Sequence, residues 1–166
     1  QISKTGSKIY TNNTIEKIVK DKPEYQIIWQ TGKNYKVNFE IPENVKVLEF
    51  IDDMATAYSA ADLVMSRSGA TTIAELGIVA KPSLLVPLPS ASNNEQFHNA
   101  RSFVEARAAE LILDDVVDER ASSKIEALIN DETKLQEMSK NALNLGKPDA
   151  GKIVAEHILK MIYERK

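Results

Sequence analysis

Ten residues, Ser66-Arg67-Ser68-Gly69-Ala70-Thr71-Thr72-Ile73-Ala74-Glu75, bring small side chains, hydroxyls and one carboxylate together at spacings that can do chemistry. Upstream, Asp62-Leu63-Val64-Met65 is a short apolar run of the kind that forms a buried parallel strand. Downstream of Gly69, the residues Ala70, Ile73, Ala74 and Leu76 recur at helical spacings. A strand, a small-residue turn and a helix start leave backbone N–H groups without intrahelical partners, at the positive end of the helix dipole. Gly69 permits close approach to the backbone, and Ser68, Thr71 and Thr72 add hydroxyl donors. That set suits a phosphate or diphosphate. Glu75 lies one helical turn beyond Thr71 on the same face. A carboxylate there would repel phosphate but can accept hydrogen bonds from the vicinal hydroxyls of a sugar. Together they describe a nucleotide site. An ordinary βα turn capped by Ser68 satisfies the same local pattern.

The rest of the chain must supply a scaffold for this loop. Residues 1–11 form no complete element by pattern, and Thr14 to Lys20, preceded by Asn12 or Asn13 as a cap, reads as a short helix ending before Pro23. Tyr25-Gln26-Ile27-Ile28-Trp29-Gln30 is rich in strand formers and stops at Thr31-Gly32, residues 33–44 are polar and mixed, and Val45 to Phe50 alternates like a strand with one solvated face. A small-residue helix from Met54 to Ala61 follows, capped by Asp52 or Asp53. Beyond the central loop come a strand at Ser83–Pro87, a polar exit loop from Leu88 to Glu95, a helix to about Arg107 and a strand at Ala109–Leu113. Helices over roughly 119–130, 131–145 and 150–164 complete the pattern, the last closing the domain. Strands alternating with helices predict an α/β fold, a Rossmann-like doubly wound parallel sheet. Ligands of such sheets bind where loops leave the carboxyl ends of the strands. Ile51–Met54, Ser66–Thr72 and Leu88–Gln96 are then the three loops of one site.

Composition narrows the possibilities. At 166 residues, with 43% hydrophobic and 27% charged side chains, the chain fits one ordinary globular domain. A formal charge of −3 argues against nonspecific nucleic-acid binding. The absence of cysteine excludes disulfides and thiolate metal sites, and two distant histidines, His98 and His157, make a histidine-rich metal site a poor fit. No apolar run approaches the roughly 20 residues that span a bilayer. Gln1-Ile2-Ser3-Lys4 does not open like a signal peptide, so a cytoplasmic location is the default expectation.

Several stretches resemble, in order and at matching spacings over about residues 24–165, the carboxy-terminal half of the MurG family. These are Phe50-Ile51-Asp52-Asp53-Met54, Ala61-Asp62-Leu63-Val64, the Ser66–Glu75 loop, Lys81-Pro82-Ser83-Leu84-Leu85-Val86-Pro87 and Gln96-Phe97-His98-Asn99-Ala100. Members of that family move N-acetylglucosamine from UDP-N-acetylglucosamine (UDP-GlcNAc) to lipid I, giving lipid II for peptidoglycan synthesis. The resemblance implies one half of a two-domain GT-B-type glycosyltransferase, residues 1–166 being the donor-binding domain. It implies backbone contacts from Ile51 to the uracil with Met54 nearby, and the diphosphate at the Ala70-Thr71-Thr72 helix start. It also implies ribose hydroxyls on Glu75 and sugar hydroxyls on Gln96, with Glu95 at the more variable position before it. No metal or other cofactor is expected, because helix dipole and donors take a cation's place on the leaving diphosphate. The implied reaction is an inverting transfer. The implied acceptor is lipid-linked, at the cytoplasmic face of the inner membrane, and no nucleic-acid partner is expected.

Departures from the family pattern set further expectations. Only Thr5-Gly6-Ser7-Lys8 stands near the place of the family's first glycine-rich loop, the strand before it is unrecognisable, and residues 33–44 are short. The amino-terminal acceptor half, with its candidate base, has no counterpart here, so no catalytic residue is expected in this chain and a lone copy should not complete the transfer. A related glycolipid glycosyltransferase, or a nucleotide-sugar-binding module without activity, are the alternatives. Among single residues, Arg67 is expected to be structural, pairing with Asp62 or Glu75 or facing solvent. Asp52 and Asp53 are helix caps rather than an acid/base pair, His98 a surface residue, Asn99 a loop anchor, and Tyr25 and Trp29 core or edge aromatics. Gln96 and Glu75 are the two most suited to ligand contact.

Overall fold

The computed structural model describes residues 2–3, 17–18, 24–33 and 35–164. Six strands form one sheet: β1 (Ile2–Ser3), β2 (Ile27–Gln30), β3 (Val45–Leu48), β4 (Leu63–Ser66), β5 (Ser83–Leu85) and β6 (Ala109–Leu111). They lie in the order β3-β2-β1-β4-β5-β6, and every pairing is parallel. The helices are α1 (Met54–Ala60), α2 (Ala70–Ile78), α3 (Glu95–Glu105), α4 (Val117–Ile129), α5 (Glu132–Leu145) and α6 (Ala150–Tyr163). Lys17 and Ile18 are also helical, and Ile18 is buried, within the predicted 14–20 helix. The rest of that helix and the Thr5–Lys8 loop lie outside the described residues.

The first strand, unrecognisable by pattern, is present as β1. Ile2 pairs with Ile27 on one side and Leu63 on the other, so this strand occupies the centre of the sheet. Two residues carry no periodicity, and pairing on both sides is a tertiary property. From β1 the chain builds outward to β3, then returns to place β4 on the other side of β1. The topological switch point therefore falls between β1 and β4.

Central strands need apolar residues on both faces, and β4 and β5 are buried throughout. Successive side chains serve opposite layers. Leu63, Met65, Leu84 and Val86 join one core cluster, with Trp29, Ile125 and Met138. Val64 and Leu85 join the other, with Tyr58, Leu76 and Phe103. Helix α4 contributes Val117, Ala121, Ile125 and Leu128 to the first layer, a stripe at spacings of three and four residues. Helices α1, α2 and α3 cover the second layer.

Residues 35–44 contain no helix. Tyr35, Val37 and Phe39 alternate with exposed Lys36, Asn38 and Glu40 and pack on the first cluster. The Tyr35 ring meets Trp29 edge-on at 5.2 Å and Phe39 stacks on it at 6.3 Å. An extended apolar–polar alternation thus replaces a crossover helix, and Trp29 is a core residue, 1% exposed. The stretch that is polar and mixed by composition thus carries a period-two burial pattern over residues 35–40.

Helix α6 forms where predicted, and none of its residues is buried. No described helix is long and apolar enough to cross a membrane.

Candidate functional site

Every strand points its carboxyl end to the same rim, and the loops leaving β3, β4 and β5 carry the residues singled out by sequence. The β4 exit is the rim's centre. Helix α2 starts at Gly69, whose carbonyl accepts the first intrahelical bond from the Ile73 N–H at 3.0 Å. No side chain caps this end, and its first turn holds no acidic residue. Ala70 and Thr71 are exposed and Thr72 half-exposed, so their N–H groups face outward at the positive end of the dipole. Helices α1 and α5 differ: Asp53 and Asp131 accept from the Thr56 and Lys134 N–H groups at 3.0 and 2.9 Å. Hydrogen bonds from the Thr56 hydroxyl and N–H hold the Asp53 carboxyl below its ordinary pKa, consistent with a cap.

Gly69 has φ −62° and ψ 153°, a conformation open to any residue. A Cβ built there meets no protein atom within 4 Å. Neither backbone strain nor internal packing requires glycine at this position.

Ser68 is not the helix cap. It is fully buried, and its hydroxyl donates to the Gln96 carbonyl at 2.7 Å, while Asn99 Nδ2 donates to the Ser68 carbonyl at 3.0 Å. Asn99 is therefore the loop anchor expected. The Leu88 N–H donates to Gln96 Oε1 at 3.0 Å. A backbone N–H can only donate, so the amide oxygen must face inward and the Gln96 NH2 group is turned away from Leu88. These bonds lock the exits of β4 and β5 together. Glu95 opens α3 and is exposed, as is His98. Asn93 and Asn94, just before α3, hold φ values of 52° and 54°, a left-handed conformation asparagine tolerates.

Arg67 ties a third loop to these two. Its Nη1 donates to the Val86 and Pro87 carbonyls at 3.2 and 3.0 Å and meets Asp114 Oδ1 at 2.6 Å. The role is structural, as expected. Asp114, its ion-pair partner, lies on the β6 exit, which parallel stacking of the strands brings alongside. Asp114 went unnoticed in the sequence, where 47 positions separate it from Arg67.

Glu75 is half-exposed on α2, and Tyr58 of α1 donates its hydroxyl to Glu75 Oε2 at 3.0 Å. On the β3 exit, Ile51 is buried and its N–H donates to Gln30 Oε1 at 3.3 Å, a long bond. Met54, at the start of α1, packs against the second core cluster. Among the described residues, no group of three or more His, Cys, Asp or Glu side chains stands together.

A six-stranded parallel sheet with this strand order, and a rim of polar loops at its carboxyl edge, defines a Rossmann-like α/β domain. The model of the glycosyltransferase family 28 C-terminal domain matches residues 5–154, and the chain belongs to that family. It is 40% identical over 144 residues to the UDP-N-acetylglucosamine–N-acetylmuramyl-(pentapeptide) pyrophosphoryl-undecaprenol N-acetylglucosamine transferase of Flavobacterium psychrophilum, covering 85% of this chain and 39% of that protein. The protein of the same name from Bacteroides thetaiotaomicron is 36% identical over 161 residues, covering 90% and 43%. The chain thus spans about two fifths of the length of these curated relatives. The crystal structure of Acinetobacter baumannii MurG superposes with a TM-score of 0.82 at 26% identity, over 96% of this chain and 49% of that one. The calicheamicin glycosyltransferase CalG4, at TM-score 0.71 and 16% identity over 97% of this chain and 43% of its own, shares the fold.

Proposed function

We propose that residues 1–166 are the donor-binding domain of an inverting UDP-GlcNAc-dependent glycosyltransferase of peptidoglycan synthesis, which transfers GlcNAc to lipid I to form lipid II. The observation that carries this reading is the α2 start: outward N–H groups that no side chain caps, behind a glycine the protein's own packing does not require. The names of relatives at 36–40% identity support the choice of sugar and acceptor.

In this reading the diphosphate sits on Gly69, Ala70, Thr71 and Thr72. Ser68 positions that loop through Gln96 rather than spending its hydroxyl on the ligand. Glu75 accepts from the ribose hydroxyls. The outward NH2 of Gln96 donates to hydroxyls of the sugar, with Glu95 beside it. Ile51 offers backbone groups to the uracil, its weak bond to Gln30 being easily exchanged, and Met54 lines that end. An acceptor hydroxyl attacks the anomeric carbon in line. The bond from that carbon to the β-phosphate oxygen breaks, and its electrons leave with UDP. The α2 dipole and donors stabilise the growing charge, taking the role a cation would otherwise fill. The proton of the attacking hydroxyl passes to a base outside this chain, in an acceptor domain, and the lipid-linked acceptor puts the reaction at the cytoplasmic face of the inner membrane.

Calorimetric titration tests the assignments. Glu75→Ala should weaken UDP and UDP-GlcNAc alike, by about 1–3 kcal/mol. Gln96→Ala should weaken UDP-GlcNAc but barely change UDP. Equal affinities of wild type and Glu75→Ala would refute the ribose role, and equal losses for both ligands in Gln96→Ala would refute the sugar role. Release of UDP from UDP-GlcNAc only when a lipid-linked acceptor is present, by the protein at its natural length, separates an active transferase from an inert binding module.

A further inference from the structure

We infer that Tyr58 is a positioning residue that holds the Glu75 carboxylate for two ribose hydroxyls, and so makes the site prefer a ribonucleoside diphosphate over its 2′-deoxy counterpart. This rests on the nucleotide site proposed above. Tyr58 is 3% exposed, and its ring is part of the second core cluster with Val64 and Leu76. The ring cannot swing, so its hydroxyl is a fixed point. That hydroxyl reaches Glu75 Oε2 at 3.0 Å, while the Glu75 side chain is half-exposed on the ligand-facing helix.

A carboxylate offers about four acceptor positions, and the Tyr58 bond uses one of them. Oε1 and the second lone pair of Oε2 remain, held in one plane, for two donors side by side. The cis hydroxyls of a ribose present such a pair. A 2′-deoxyribose lacks one donor, and a held carboxylate cannot turn to recover the loss from water. A carboxylate released from Tyr58 can turn, so the penalty against the deoxy ligand shrinks. The same hydrogen bond therefore sets both affinity and selectivity.

Affinities of the protein at its natural length for UDP and 2′-deoxy-UDP, for wild type and Tyr58→Phe, test this. The Phe variant removes one oxygen and keeps the packed ring. UDP should weaken about threefold to tenfold while 2′-deoxy-UDP changes less than about twofold, so that the affinity ratio falls. A structural role alone would lower the melting temperature and leave the ratio as it was, and that unchanged ratio overturns the inference. Wild type binding UDP without preference over 2′-deoxy-UDP overturns it while leaving the nucleotide site standing, whereas wild type binding neither ligand overturns both. If Tyr58→Phe fails to fold, Glu75→Gln serves instead. Tyr58 then draws the amide oxygen inward and turns its NH2 to the ligand, so the ratio should fall again, and an unchanged ratio counts against the inference.

Discussion

Replacing Gly69 by alanine separates a glycine kept for the fold from one kept for a ligand. At φ −62° and ψ 153° alanine is unstrained, and its Cβ meets no protein atom within 4 Å. Fewer unfolded conformations should stabilise the variant by about 0.4–1 kcal/mol. Alanine is a poorer helix N-cap than glycine, which costs a similar amount, on the order of 0.5–1 kcal/mol. The two effects oppose each other, so the melting temperature should move by less than about 3 °C. Ligand binding has no such compensation. A methyl group in front of the Ala70–Thr72 N–H groups pushes a phosphate oxygen out of hydrogen-bond range. Losing one such bond to a charged group costs about 1.5–3 kcal/mol, or roughly 10- to 100-fold in affinity. Differential scanning fluorimetry and calorimetric titration with UDP measure the two quantities on one sample. Unchanged affinity in a folded Gly69→Ala protein would refute the placement of the diphosphate, and a large fall in melting temperature would refute the claim that packing does not need this glycine.

Other sites give contrasting expectations. Gly146→Ala should destabilise by about 1–3 kcal/mol, since its Cβ would lie 2.6 Å from the Gly77 carbonyl oxygen where α5 crosses α2; a denaturant midpoint equal to wild type would show that the helices can separate freely. Arg67→Met should cost about 3 kcal/mol by stranding Asp114 and two carbonyls, and should weaken UDP-GlcNAc because three rim loops lose a common tie. Wild-type stability and affinity together would remove that role. Partial burial pushes the Glu110 pKa up, but hydrogen bonds from Lys124 and Lys134 at 2.6 and 2.5 Å outweigh this and hold it below its ordinary value. Its contribution is therefore present above the ordinary glutamate pKa and lost as pH falls through the lower folded value. Glu110→Gln should flatten that part of an acid-unfolding profile, and an identical profile would discount the pair of lysines.

Local pattern determined much about this protein. The apolar run at 62–65, the switch to helical spacing after Gly69 and the Pro87 stop all concern neighbours within one turn or one strand, where periodicity reports burial directly. The order of strands and helices, and the three polar exit loops, could be read from such patterns. So could a cap at Asp52 or Asp53, the anchor at Asn99 and a core or edge place for Trp29, while packing chose Asp53 and the core. What the pattern lacked was anything set by stacking. The two-residue β1 is a strand because Ile27 and Leu63 flank it. Ser68 turned inward to the Gln96 carbonyl, Arg67 reached Asp114, Gln96 was oriented by Leu88, and Glu75 met Tyr58. Each of these pairs is far apart in sequence or joins separate elements, and only parallel packing of strands and helices brings it within hydrogen-bond range. Residue types showed which groups could meet a nucleotide sugar; the tertiary structure decided which of them were already committed to the protein itself.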